Sequence, residues 1–178
     1  MARALELLVV NPGRFFGALL PILLAALLTM FANLPLPLTG GLLPSPVLAL
    51  AALYFWLLVR PDLVPPSMMF VLGLLEDLMS GGPPGLWAAG FIAAYAFTDR
   101  HRETLAGLPG MGTIIGFAAA MLVAAATAYG LTWIVYLRAP PLAELLLESM
   151  ITVLVYPFMA IAMRWLHRRV VGPMRYDT

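Results

Sequence analysis

Residues 15–59 read FFGALLPILLAALLTMFANLPLPLTGGLLPSPVLALAALYFWLLV, forty-five consecutive positions without a charge. A membrane-spanning helix takes about 20 mostly apolar residues, so this run is long enough for two. Its middle holds the break between them. Pro35, Pro37, Gly40, Gly41, Pro44 and Pro46 form a turn-type cluster that no helix interior would carry. The first segment is therefore predicted over Phe15–Asn33 and the second over Pro46–Val59, where Arg60-Pro61-Asp62 ends it.

The same reading extends along the chain. A third segment, Val64–Met79, opens with Pro65-Pro66 in its first turn, where proline is tolerated. Gly81-Gly82-Pro83-Pro84-Gly85 stops it, and a fourth segment covers Leu86–Thr98 before the charged stretch Asp99–Glu103. The fifth covers Met111–Leu137, and Pro140-Pro141 separates it from the sixth, Leu142–Leu166. The third and fourth are short. Two readings stand for them: two full crossings, or one re-entrant hairpin buried in protein. Residues Ala2–Val10 read as a short interfacial helix. The expected fold is an all-α polytopic membrane protein of about six transmembrane helices, a single transmembrane domain over 1–178 with no soluble domain.

Composition excludes much else. The chain is 62% apolar and 11% charged, where soluble domains average roughly 45–50% and 25%, and a globule of 178 residues could not hide that much apolar surface. With no cysteine there is no thiol catalysis, disulfide or CxxC metal site. All ten basic residues are arginine, so no lysine can serve a P-loop or a Schiff base. A net charge of +1 argues against nucleic acid. His101 and His167 have no metal-ligand partner at helical spacing and read as solvated. Gly110-x-Gly112 with Gly116 follows a polar loop rather than a strand and is no dinucleotide motif. No catalytic, cofactor-binding or metal-binding residue is expected.

Arginine asymmetry sets the orientation. With the N-terminus in the cytoplasm, Arg3, Arg14, Arg60, Arg100, Arg102, Arg164, Arg168, Arg169 and Arg175 fall inside and only Arg138 falls outside. By the positive-inside rule both termini are cytoplasmic.

Charges at membrane depth are the candidate functional residues. Glu76 and Asp77 lie at the outer end of the third segment, a helix C-terminus whose dipole disfavours anions by about 0.3–1 kcal/mol each. Two partners could offset this: the backbone N–H groups opening the fourth segment, or a cation, either Arg138 or one on another chain. Asp77 thus either ties the turn to the next helix or presents a buried anion to a partner or ligand. Glu144 and Glu148 share a face at the outer end of the sixth segment. They read either as a solvated rim or, with Glu76, Asp77 and Arg138, as an acidic pocket for a basic residue of a partner. Gly112, Gly116, Ala120, Ala124 and Ala128 recur every four residues along the fifth segment, and Gly85, Ala89 and Ala93 along the fourth. Such smooth ridges suit close helix approach, within the chain or to a partner helix.

Residues 46–95 resemble the rod shape-determining MreD family of bacteria. The resemblance rests on Pro46, Tyr54, Trp56, Pro61, the run Phe70-Val71-Leu72-Gly73-Leu74-Leu75-Glu76-Asp77-Leu78-Met79-Ser80-Gly81, then Gly85 and Tyr95, with Pro157 and Arg164 near the end. Gly73, Asp77, Gly81 and Gly85 fill the family's glycine, aspartate and glycine-turn places. The Gly82-Pro83-Pro84 turn departs from the family's small polar and apolar residues. The resemblance implies a non-enzymatic scaffold of the elongasome, the inner-membrane machine of lateral peptidoglycan synthesis. It implies partnership with MreC, whose transmembrane helix and juxtamembrane stretch the smooth ridges and outer acids would hold. Through MreC it implies links to RodA, its transpeptidase and MreB, and inner arginines that touch anionic lipids. It also implies a helical fold similar to the substrate-binding subunits of energy-coupling-factor transporters. A vitamin-binding subunit of such a transporter is therefore the competing function.

Overall fold

A computed structural model of the chain describes residues 12–34, 44–108, 110–137 and 141–171. The interfacial helix expected at Ala2–Val10, most of the first Pro/Gly turn, Arg3, Arg138 and Arg175 lie outside them. The described residues form helices α1 (Pro12–Ala32), α2 (Leu48–Val59), α3 (Pro66–Ser80), α4 (Leu86–Arg100), α5 (Arg102–Gly107), α6 (Met111–Tyr136) and α7 (Leu142–Leu166). A 3-10 turn, Pro61–Leu63, follows α2, and a π turn, His167–Val171, follows α7. There is no strand among the described residues. Among the described residues two helices, Met111–Tyr136 and Leu142–Arg169, are long and apolar enough to cross a membrane.

Helix α2 is the post around which the others stand. Its sequence, LALAALYFWLLV, has no polar face, as suits a helix enclosed on every side. Every residue from Leu48 to Leu57 is buried. Helices α1, α4, α5, α6 and α7 all contact it, and outer contacts run in series from α1 to α3, α4, α6 and α7. Tyr54, Phe117 and Tyr156 join α2, α6 and α7, with the Phe117 and Tyr156 rings stacked 4.3 Å apart. The first N–H groups of a helix have no intrahelical acceptor. At the start of α2 the hydroxyl of Thr152, on α7, accepts the Val47 N–H at 3.0 Å.

The tightest packing runs through α4. A Cβ on Gly73 would lie 2.6 Å from the Cα of Ala88, so α3 and α4 meet backbone to backbone. A Cβ on Gly90 would lie 2.9 Å from the Ala124 carbonyl oxygen, so α4 and α6 do the same. The ridge Gly116, Ala120, Ala124, Ala128 is buried within the chain. Of its two readings, close packing within the chain holds and a docking face for a partner does not: α4 and α2 occupy it, and a Cβ on Gly116 would meet the Tyr54 hydroxyl. Gly112 is half-buried against Leu108. The α4 ridge is corrected as well. Ala89 and Ala93 are only half-buried, and the inward face is Trp87, Ala88, Gly90, Phe91, Ala94 and Thr98.

Candidate functional site: buried acids at one end, arginines at the other

Four of the described acids lie at the end of the bundle opposite the arginines, and Asp62, Asp99 and Glu103 lie with the arginines. Glu76, Asp77, Glu144 and Glu148 lie where α3 ends and α7 begins. Arg60, Arg100, Arg102, Arg164, Arg168 and Arg169 lie at or beyond the far ends of α2, α4 and α7.

Asp77 is 1% exposed and is satisfied within the chain. Its carboxylate accepts the backbone N–H groups of Gly85 (2.8 Å), Trp87 (2.8 Å) and Ala88 (3.2 Å). The turn between α3 and α4 brings them there: Gly81 and Gly85 have φ of 70° and 102°, a region that favours glycine. A carboxylate that would strain the C-terminus of α3 thus sits on the N-terminus of α4, where the dipole favours it. The Gly73, Asp77, Gly81, Gly85 spacing is one mechanical unit: close approach, clamp and two turn residues.

Glu76, also 1% exposed, turns the other way, toward α1. Thr29 Oγ1 donates to Oε2 at 3.1 Å and Asn33 Nδ2 donates to Oε1 at 3.0 Å. Asn33 also donates to the Thr29 carbonyl at 3.0 Å, which ties the donor pair together. Burial of a carboxylate is costly unless its oxygens are hydrogen-bonded, and here two neutral side chains do it. Nothing in the local sequence marked Thr29 and Asn33, which lie 47 and 43 residues upstream.

Glu148 is half-buried on α7, whereas Glu144 is exposed. Of the two readings, the acidic pocket for a partner's basic residue is not what the described residues make, and the solvated rim holds for Glu144. Glu76 and Asp77 are sealed behind their own partners, and Glu144 alone of the four is freely presented. Arg138 lies outside the described residues.

At the arginine end, Arg60 and Asp62 form a two-point ion pair, Nε–Oδ1 at 2.9 Å and Nη2–Oδ2 at 2.7 Å. That contact lifts Arg60 above its ordinary range and holds Asp62 below the usual carboxylate range. His101 is exposed, with Nδ1 2.8 Å from the Phe97 carbonyl. His167 departs from the solvated reading: its ring is half-buried, 5.7 Å from that of Trp56 and nearly perpendicular to it. Compared with family models, curated protein sequences and solved structures, the chain matches none.

Proposed function

We propose that the chain is a multi-pass component of the bacterial cytoplasmic membrane in which α1, α2, α3, α4, α6 and α7 all cross and both termini are cytoplasmic. Its function is that of a non-enzymatic scaffold that holds MreC within the elongasome. Several features support this. The arginines gather at one end of the bundle, which the positive-inside rule assigns to the cytoplasm. Helices α3 and α4, at 15 residues each, span about 22 Å apiece. That is short of the roughly 30 Å hydrocarbon core, and the interfacial residues at their ends or local thinning make up the difference.

The observation that carries the proposal is the outward face of α7. Leu146, Met150, Leu154, Phe158, Ile161 and Trp165 recur at helical spacing and are 51–74% exposed. An apolar stripe that runs the whole helix needs a cover, and lipid or a partner's helix supplies it. Because the small-residue ridge of α6 is already filled, this stripe takes over as the face that receives the MreC transmembrane helix. Exposed Glu144 at its outer start then meets the juxtamembrane stretch.

Co-expression with MreC and affinity capture tests this. Lipid refills a truncated lipid-facing site at little cost, whereas a helix–helix contact loses its van der Waals packing. Leu154→Ala with Phe158→Ala is expected to lower MreC recovery while the fold persists. Undiminished recovery with that variant would remove the α7 face from the proposal. No MreC recovered with the wild-type chain would remove the scaffold function itself.

A further inference from the structure

A cavity of about 410 Å³ opens at the arginine end, between the last turns of α2 and α7, helix α5 and the start of α6. One wall is apolar, formed by Phe55, Leu58 and Leu105, and the other carries Arg164, His167 and Arg168. No acidic side chain lines it. Among the described residues the one ion pair is Arg60–Asp62, so Arg164 and Arg168 have no carboxylate there. The buried Nδ1 of His167 likewise has no hydrogen-bond partner among the described residues.

We propose that this cavity seats the headgroup of an anionic phospholipid drawn from the cytoplasmic leaflet, an inference that rests on the bilayer placement above. The chemistry of the walls selects the occupant. A phosphodiester matches two guanidinium groups, which bind phosphate oxygens in pairs. A cation or a neutral headgroup gains nothing from that wall. A free phosphate ester would leave Phe55, Leu58 and Leu105 against water, whereas a lipid lays its glycerol and upper acyl carbons on them. The volume suits a headgroup and the start of its chains, which continue over the exposed apolar sides of α6 and α7 at Ile115 and Ile161. The depth agrees. Trp165 is 57% exposed and the Arg169 guanidinium sits 4.5 Å above its ring, the aromatic and cationic pairing of a membrane–water boundary.

The test uses the full chain reconstituted in phosphatidylcholine vesicles that contain a minor fraction of phosphatidylglycerol. The protein is extracted in mild detergent and retained lipid is counted by native mass spectrometry. Phosphatidylglycerol is expected to be retained selectively. Each arginine removed should weaken retention about fivefold, so Arg164→Gln with Arg168→Gln lowers it about twenty-fivefold. Ala106→Trp, at an exposed position in the lining, keeps both charges but fills the space, and is expected to lower retention as well. Arg100→Gln with Arg102→Gln removes the same charge elsewhere and should leave retention unchanged. Equal loss in that control would mean diffuse attraction to the membrane and overturn the proposal, as would displacement of the lipid by soluble glycerol 3-phosphate. A wild-type chain that stays in the membrane fraction yet retains no phosphatidylglycerol overturns the cavity alone. A wild-type chain absent from the membrane fraction overturns the bilayer placement with it.

Discussion

The Asp77 carboxylate accepts the N–H of Trp87 at 2.8 Å and so locks the last turn of α3 to the first turn of α4. Gly85 and Ala88 donate to the same carboxylate. Asp77→Ala removes the acceptor of three N–H groups, two of them in buried hydrogen bonds. One lost cap costs about 0.5–2 kcal/mol and a hydrogen bond to a charged group about 1.5–3. The expected destabilisation is therefore about 2–4 kcal/mol. Asp77→Asn keeps one acceptor oxygen but turns an amide NH2 against remaining donors, so it should fall between Ala and wild type. Denaturation of the reconstituted protein measures this, and an Ala variant as stable as wild type would show that the clamp does not hold the hairpin.

Gly73 makes a second demand on the same hairpin. The Ala88 backbone blocks any Cβ there, and backbone cannot rotate away as a side chain can. Gly73→Ala forces α3 and α4 apart, at a cost of about 1–3 kcal/mol. Gly82→Ala is the matched control, because its Cβ would meet only the Ser80 hydroxyl oxygen, at 3.5 Å. The two variants should separate clearly in thermal denaturation. Equal midpoints would mean the helices tolerate a wider spacing than their contact implies.

Much of this hairpin was legible in the sequence because its parts are local. A carboxylate, a glycine turn and a helix start within eleven residues leave few places for the acid to go. The helix limits were legible for a similar reason: Pro, Gly and charge clusters interrupt apolar runs, and the expected sixth segment matches α7 at both ends. Glu76 was not legible. Its donors arrive from α1, and a lone Thr and Asn on an apolar helix carry no periodic mark. The inward face of α4 was misread because Gly85, Ala89 and Ala93 fit a four-residue repeat better than Ala88 and Gly90 do. Contact is decided by which side α3 and α6 approach, a tertiary fact. His167 was read as solvated because nothing local reveals that Trp56, over a hundred residues earlier, packs against it.

Glu76 separates hydrogen bonding from charge. Glu76→Gln keeps one acceptor for the Asn33 amide, and the Thr29 hydroxyl can rotate to accept from the new amide. The variant's stability is expected within about 1 kcal/mol of wild type. Glu76→Ala leaves the Thr29 hydroxyl, which is fully buried, without its acceptor and opens space beside it, at a cost of about 2–3 kcal/mol. A Gln variant as damaged as Ala would mean the negative charge itself is required at that position.

His167 sets the pH response of the arginine end. It lies just past α7, where burial and the nearby Arg60 guanidinium hold its imidazole below the ordinary range. Arg60 faces it from the end of α2, and Arg164 and Arg168 flank it in the cavity wall. Below about pH 6.5 the unfolded chain takes up a proton that the folded chain still refuses. Stability therefore rises with pH across the interval between the lowered value and 6.5. The contribution of the neutral ring is complete above that interval and is lost as the pH falls through the folded value. Asp62 adds no slope there, because the Arg60 contact keeps it ionised well below this range. In detergent without anionic lipid, the melting temperature of the wild-type chain should fall relative to that of His167→Gln as the pH drops below about 6.5. A variant whose curve runs parallel to wild type would assign the acid sensitivity to some other group.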